Sequence, residues 1–241
     1  MSLHRFYCPN ITRPVTELTG PEYEHLSKVL RLNSGEEIEL FDGNGTLAKA
    51  LIKEKSKKAA IIKITEISQV NPPENSRIIL AVSIAKGQRF DWLLEKAAEL
   101  GIDRITPVIF ERTVRHPHNP AILDRWTRIT VSAGKQSGSI FLPVIDLPLS
   151  LPEALDTLLQ RYANAQIIFG SPSNKTESVL NFSSIGKDII VFIGPEGGLT
   201  DDEITLLKSN KAKPLRLTQT ILRTETAALA FASILTTQRD I

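Results

Sequence analysis

The sequence predicts an α/β protein in two parts, a small N-terminal β-barrel followed by a parallel sheet covered by helices. Three observations carry that expectation. Short β-rich runs separated by polar turns fill the first part of the chain. The stretch Asn71-Pro72-Pro73-Glu74-Asn75-Ser76 then reads as a linker, because paired prolines interrupt both helix and strand. Beyond it, wholly apolar runs alternate with amphipathic ones, the pattern of buried strands and covering helices. The expected boundaries are a barrel over residues 1–70 and an α/β domain over residues 76–241.

In the first part, residues 21–30 predict one short helix with Pro21 at its first position. Residues 36–41, 46–52 and 59–64 predict strands. Asp42-Gly43-Asn44-Gly45 is a strong hairpin signal between the first two, and Lys55-Ser56-Lys57-Lys58 makes a second, polar turn. In the second part, residues 78–83 predict a strand. Residues 89–100 predict a helix with Phe90, Leu93, Leu94 and Ala97 on one face and Gly101 as its stop. Residues 105–110 are the next strand, and residues 123–136 and 152–163 the next helices. Residues 167–169 and 189–193 are short and wholly apolar, as strands covered on both faces should be. Thr200-Asp201-Asp202-Glu203 is a capping box that opens another helix. Residues 215–217 predict a last strand and residues 224–237 a last helix.

Composition narrows the function classes. With 241 residues, 41% of them hydrophobic, the chain is long enough for a core without disulfide staples. Cys8 is the one cysteine, so no intrachain disulfide forms, and one cysteine with four histidines suggests no metal cluster. The longest apolar run, residues 189–193, is far too short for a bilayer, and the start lacks a basic-then-apolar export signal. A cytoplasmic protein without membrane contact is therefore expected. The net charge is only +2. Bases are enriched between Arg77 and Lys135, including Lys86, Arg89, Arg104, Arg112, Arg115, Arg125 and Arg128. That is either a footprint for phosphates or a solvated face whose bases pair with interspersed acids, and charge alone slightly favours the second.

The most informative stretch is Ile193-Gly194-Pro195-Glu196-Gly197-Gly198-Leu199-Thr200, which leaves a buried strand and enters a capped helix. Ligands of open α/β sheets bind beyond the carboxyl ends of strands. Glycines there let backbone approach a ligand, since no Cβ intervenes. The stretch matches neither phosphate-cradling glycine pattern, and Glu196 points to a ligand of positive or polar character. A tight turn with no ligand is an equal reading of this stretch by itself. A second stretch, residues 217–228, joins the last strand to the last helix and carries Arg223 and Glu225 near the helix start. Singly, Glu225 reads as a partner of the helix dipole and Arg223 as a surface residue. Two such loops at neighbouring strand ends point to a shared site.

Together, residues 194–204 and 221–230 closely resemble the bacterial 16S ribosomal RNA (uracil-N3)-methyltransferases, a family of the SPOUT superfamily. Supporting likenesses are His4-Arg5-Phe6-Tyr7, residues 25–31, Leu40-Phe41-Asp42-Gly43, Lys86-Gly87 and residues 95–101, so the resemblance spans nearly the whole chain. It implies a PUA-like RNA-binding barrel, a catalytic domain with a trefoil knot, S-adenosylmethionine as cofactor, 16S ribosomal RNA or the small subunit as partner, and a homodimer. A knot would not be proposed from pattern alone. The implied cofactor contacts are Phe169, Gly194, Pro195, Glu196, Gly197, Gly198, Leu217, Ile221, Leu222 and Arg223. Chemistry suggests Glu225 as base for the uracil N3 proton, with Arg223 or Arg5 stabilising the charge that develops. Arg5, Lys28 and Arg31 are the candidate RNA contacts. The sequence departs from the family pattern at Lys135 and Ser139, where the family usually has Glu and Arg. That departure bears on RNA choice and keeps two alternatives in view, a SPOUT methyltransferase for another RNA and a non-catalytic RNA-binding or assembly protein.

Overall fold

Five strands make the first sheet: β1 (His4–Tyr7), β2 (Val15–Thr19), β3 (Glu37–Phe41), β4 (Thr46–Lys55) and β5 (Ala59–Gln69), in the spatial order β1-β3-β4-β5-β2. The computed structural model describes residues 3–72, 76–114, 121–183 and 185–240. Pro73, Glu74 and Asn75 of the expected linker, and Arg115 of the basic stretch, lie outside them. The first sheet belongs to a unit made of Met1–Pro72 and Gly134–Leu142, and a second unit is made of Pro73–Ala133 and Pro143–Ile241.

The predicted hairpin closes as expected. Asp42 Oδ1 accepts from the amides of Asn44 and Thr46, at 2.7 and 2.9 Å, and Phe41 pairs with Leu47. Thr46, Ala48, Ala50 and Ile52 are the buried alternate residues of β4, and the last three join Phe6, Leu18, Leu26, Leu40 and Ile62 in one core. Strands β1 and β2 were not predicted. Each is short and gains its partner at long range, β1 running parallel to β3 and β2 antiparallel to β5. The single helix predicted over residues 21–30 is two pieces, helix α1 (Gly20–Glu24) and a π-helical turn His25–Val29 whose last carbonyl link is Leu30 N–H to His25 O.

Residues 134–142 complete this unit. Gly45 N–H donates to Ile140 O, and Leu142 N–H to Gly43 O, so the segment pairs with the β3–β4 turn. A Cβ on Gly134 would lie 2.5 Å from Leu142 Cδ2, so only glycine admits that packing. Lys135 Nζ lies 2.9 Å from Glu22 Oε1 and 3.4 Å from His25 Nδ1. Burial, and then the Lys135 charge, lower the His25 pKa from its ordinary 6.5.

The second sheet contains β6 (Ile78–Ser83), β7 (Arg104–Ile109), β8 (Val144–Ile145), β9 (Leu149–Ser150), β10 (Gln166–Gly170), β11 (Ile189–Ile193) and β12 (Lys213–Leu215). Their order is β12-β10-β11-β6-β7-β8, with β9 also on β7, and every pair is parallel. Among the described residues, the helices that follow are α2 (Arg89–Glu99), α3 (Ala121–Ser137), α4 (Leu151–Arg161), α5 (Asp201–Ser209) and α6 (Thr224–Arg239). The apolar strands divide their side chains between two cores. Ile78, Leu80 and Val82 of β6 join Phe90, Leu93, Trp126, Phe231 and Leu235 on one face, whereas Ile79 and Ala81 join Leu155, Leu158 and Leu207 on the other. Each buried Ile, Leu, Val or Phe side chain among them contributes about 1.5–3 kcal/mol, which holds the strands in place. The strand predicted at residues 215–217 ends two residues earlier, and this releases Leu217 into the loop beyond the sheet. Among the described residues no helix is long and apolar enough to cross a membrane.

Candidate active site: two cavities on either side of one helical turn

The loop that follows β11 is fixed from three sides. At its far end Thr200 caps α5, accepting from Glu203 N–H at 3.3 Å while Glu203 Oε2 accepts from Thr200 N–H at 2.8 Å. The other oxygen of Glu203 accepts from Glu111 N–H at 2.8 Å, which ties the exit of β7 to the same helix start. Arg112 then donates to Gly197 O at 2.7 Å. At the near end, Thr224 Oγ1 of α6 donates to Gly194 O at 3.1 Å. The two stretches singled out in the sequence are thus joined by a hydrogen bond.

They line one cavity of about 690 Å³ beyond the carboxyl ends of β10, β11 and β12. Eight of the ten expected cofactor contacts border it: Phe169, Gly194, Pro195, Glu196 and Gly198 on one side, and Leu217, Ile221 and Leu222 on the other. Glu196 is the sole charged side chain among the described residues that line it, and no base does. The walls are otherwise apolar side chains, small hydroxyl and amide residues and backbone. A flat ring and a cationic centre fit such a lining, and a phosphate does not. That is the chemistry of S-adenosylmethionine, an adenosine carrying a sulfonium.

The glycines act differently from the sequence expectation. A Cβ on Gly194 would lie 2.8 Å from Leu199 Cδ2, and one on Gly197 would lie 3.3 Å from Arg112 Cδ. Both positions admit close packing within the protein itself. Gly197 borders Arg112 and is not among the residues around the cavity. Gly198, with φ +73°, does line it and holds a backbone turn that other residues rarely adopt.

Arg223, the remaining expected cofactor contact, faces elsewhere. With Glu225 and Thr226 it borders a second, open cavity of about 660 Å³, whose other walls are Lys86, Gly87, Gln88, Arg89 and Trp92. The start of α6 and the two residues before it lie between the two: Leu222, Thr224 and Ala227 border the first cavity, and Arg223, Glu225 and Thr226 the second. Glu225 is 5% exposed, and its Oε2 is buried without a hydrogen-bond partner. Arg89 stands between the two acids, Nη1 at 3.7 Å from Glu196 Oε1 and Nε at 3.8 Å from Glu225 Oε1. Arg89 and Arg112 were missed as site residues. Arg89 read as the polar first residue of an amphipathic helix, and no local pattern marks an arginine whose partners lie more than 80 residues away.

The three candidate RNA contacts lie in the first unit. Arg5 is paired with Glu39 at 3.0 Å and donates to Gly138 O. Lys28 is exposed and pairs with Glu24 one turn earlier, and Arg31 is exposed with φ 55°. The two departures from the family pattern have internal partners, Lys135 on Glu22 and Ser139 Oγ donating to Phe141 O at 2.6 Å. The basic stretch is largely paired too. Arg104 is buried against Asp146 and Tyr162, Arg125 meets Asp91, and Lys96 meets Glu95 and Glu99. These contacts fit the interspersed-acid reading rather than a continuous phosphate footprint.

An all-parallel sheet with an acid-bearing cavity at its strand ends, preceded by a five-stranded unit, defines an α/β protein built for a polar or cationic cofactor. Residues 72–236 match the model described as the RNA methyltransferase domain, and residues 18–65 the RNA methyltransferase PUA domain. The ribosomal RNA small subunit methyltransferase E of Bacillus subtilis is 28% identical over 240 residues, covering 95% of this chain and 92% of that protein. The protein of the same name from Rickettsia conorii is 30% identical over 217 residues, covering 88% and 86%. The crystal structure of the Neisseria gonorrhoeae ribosomal RNA small subunit methyltransferase E, bound to S-adenosyl methionine, superposes with a TM-score of 0.83 at 31% identity, over 99% of this chain and 98% of that one. This chain belongs to the RNA methyltransferase family, among the ribosomal RNA small subunit methyltransferases E.

Proposed function

We propose that this protein methylates N3 of a uridine in 16S ribosomal RNA with S-adenosylmethionine as donor. The observation that carries the reading is the first cavity, whose single charge is the Glu196 carboxylate and whose walls are Phe169, the β11 loop and the loop before α6. Bound there, S-adenosylmethionine supplies a methyl group on a positively charged sulfur, open to attack by a nucleophile. Glu196 favours that positive charge, and Leu217, Ile221 and Leu222 cover apolar surface of the adenosine. Gly197 supports the loop through its carbonyl and Arg112 rather than touching the cofactor.

The remaining chemistry is proton handling. Uracil N3 carries a proton at neutral pH, and removing it makes the nitrogen nucleophilic. Glu225 Oε2, with no hydrogen-bond partner of its own, accepts that proton. Arg223, at the N-terminus of α6, stabilises the negative charge that spreads onto the uracil oxygens. Arg5 is held by Glu39 and Gly138, so contact with RNA backbone suits it better than this catalytic role. Lys28 and Arg31 contribute further phosphate contacts from exposed positions. The enzyme works in the cytoplasm as a homodimer, and its catalytic domain follows the trefoil-knotted path that the resemblance implies.

The test compares small-subunit ribosomal RNA from cells with and without the gene. Loss of one N3-methyluridine, restored by the purified enzyme, is the expected result. An unchanged methylation pattern there, with loss in another RNA, supports the alternative substrate instead. No binding of S-adenosylmethionine to a folded sample leaves only the non-catalytic reading.

A further inference from the structure

The second cavity extends beyond Arg223 and Glu225 to a wall formed by Lys86, Arg89 and Trp92 at the entry to α2. Lys86, Arg89 and Arg223 set three positive charges there against one acid, Glu225. We propose that this cavity is a nucleotide subsite that holds one phosphorylated uridine unit of the acceptor RNA, with Lys86 and Arg89 on the phosphate and Trp92 against the base. The identity of the base rests on the methyl-transfer reading, whereas the charge of the ligand rests on the cavity alone.

Four observations converge on a nucleotide. The sign of the lining selects an anion, the reverse of the neighbouring cavity. The positive end of α6, which starts at Arg223 without a side-chain cap, adds to that sign. Glu225 Oε2 is an acceptor buried without a donor, and the imide N–H of a uracil is a donor of the kind it lacks. Trp92 is 46% exposed at the rim, and an exposed indole is a stacking platform for a splayed base. Arg89 couples the subsite to the cofactor loop. Its distances of 3.7 and 3.8 Å to Glu196 and Glu225 exceed hydrogen-bond length, so its guanidinium remains available to an incoming phosphate.

Tryptophan fluorescence offers a direct probe, because the chain has two tryptophans and Trp126 is buried. Uridine 5′-monophosphate titrated into the full-length protein should quench the Trp92 signal saturably, and inorganic phosphate at equal concentration should not. Lys86→Ala and Arg89→Ala, followed by calorimetry, should each weaken the nucleotide about tenfold, the scale of one lost charge-assisted hydrogen bond. Lys86→Ala should leave S-adenosylmethionine affinity within about twofold, since Lys86 does not border the donor cavity. Absence of quenching, or equal nucleotide affinity in wild type and both variants, overturns the subsite. So does a Trp92 signal that follows protein concentration and ignores the nucleotide, which assigns this face to a second copy of the chain. Donor binding and ribosomal RNA methylation measured on the same wild-type sample separate the two proposals: if both persist while the nucleotide result is negative, only the subsite falls.

Discussion

Among the described residues, the cavity at the ends of β10, β11 and β12 is lined by one acid and no base, whereas the cavity across the start of α6 is lined by three bases and one acid. One stretch of chain, the start of α6 with the two residues before it, serves both, since neighbouring residues point in different directions. Leu222, Thr224 and Ala227 are spent on one side, Arg223, Glu225 and Thr226 on the other. In the proposed reading the two partners of opposite charge lie side by side, and the methyl group meets uracil N3 where the cavities adjoin, beside Glu196, Arg89 and Glu225. On that proposal a cationic donor is drawn to Glu196 and an anionic acceptor to Lys86, Arg89 and Arg223, so each favours its own cavity.

The comparison can be broken most severely at Glu225. Glu225→Gln keeps the shape and removes the proton acceptor, so kcat should fall by roughly 10²- to 10⁴-fold while donor affinity holds, as read by single-turnover methylation and calorimetry. An unchanged kcat removes Glu225 from proton transfer. Next in size is the sign of the donor cavity. Glu196→Gln should weaken S-adenosylmethionine by about 1 kcal/mol, roughly fivefold, and leave S-adenosylhomocysteine, whose sulfur is neutral, almost unaffected. Equal losses for both would show that Glu196 does not sense the sulfonium. Thr224→Val deletes the bond from the start of α6 to Gly194 O. About 1 kcal/mol of stability should be lost, seen as a lower Tm, together with a modest loss of donor affinity. The smallest functional effect is expected at Thr200→Ala, which lies outside both linings. Denaturant unfolding should show a loss of about 1 kcal/mol from the α5 cap, with both affinities unchanged.

Much of this was legible in the sequence where the signal is local. The Asp42–Gly45 turn and the Thr200–Glu203 capping box are written in consecutive residues, and both form as read. The runs at residues 78–82 and 189–193 are apolar throughout, as a strand buried on both faces should be. That two loops late in the chain line one cavity was likewise legible, because each follows a strand and opens a helix. What was not legible depends on distant pairing. Strand β1 exists through β3, and the Gly134–Leu142 segment joins the first unit through the turn at Gly43 and Gly45. The glycines of the β11 loop suggested space for a ligand, yet at Gly194 and Gly197 that space is taken by Leu199 and Arg112. Arg89 stood out only as one base of a basic stretch, and its place between Glu196 and Glu225 was not legible because those acids lie far along the chain.

The division of labour between the cavities stands or falls with the donor. Equilibrium dialysis of the folded full-length protein against labelled S-adenosylmethionine should retain one molecule per chain, displaced by S-adenosylhomocysteine and untouched by uridine 5′-monophosphate. No retention, or retention that the nucleotide competes away, would contradict a donor site separate from the acceptor site.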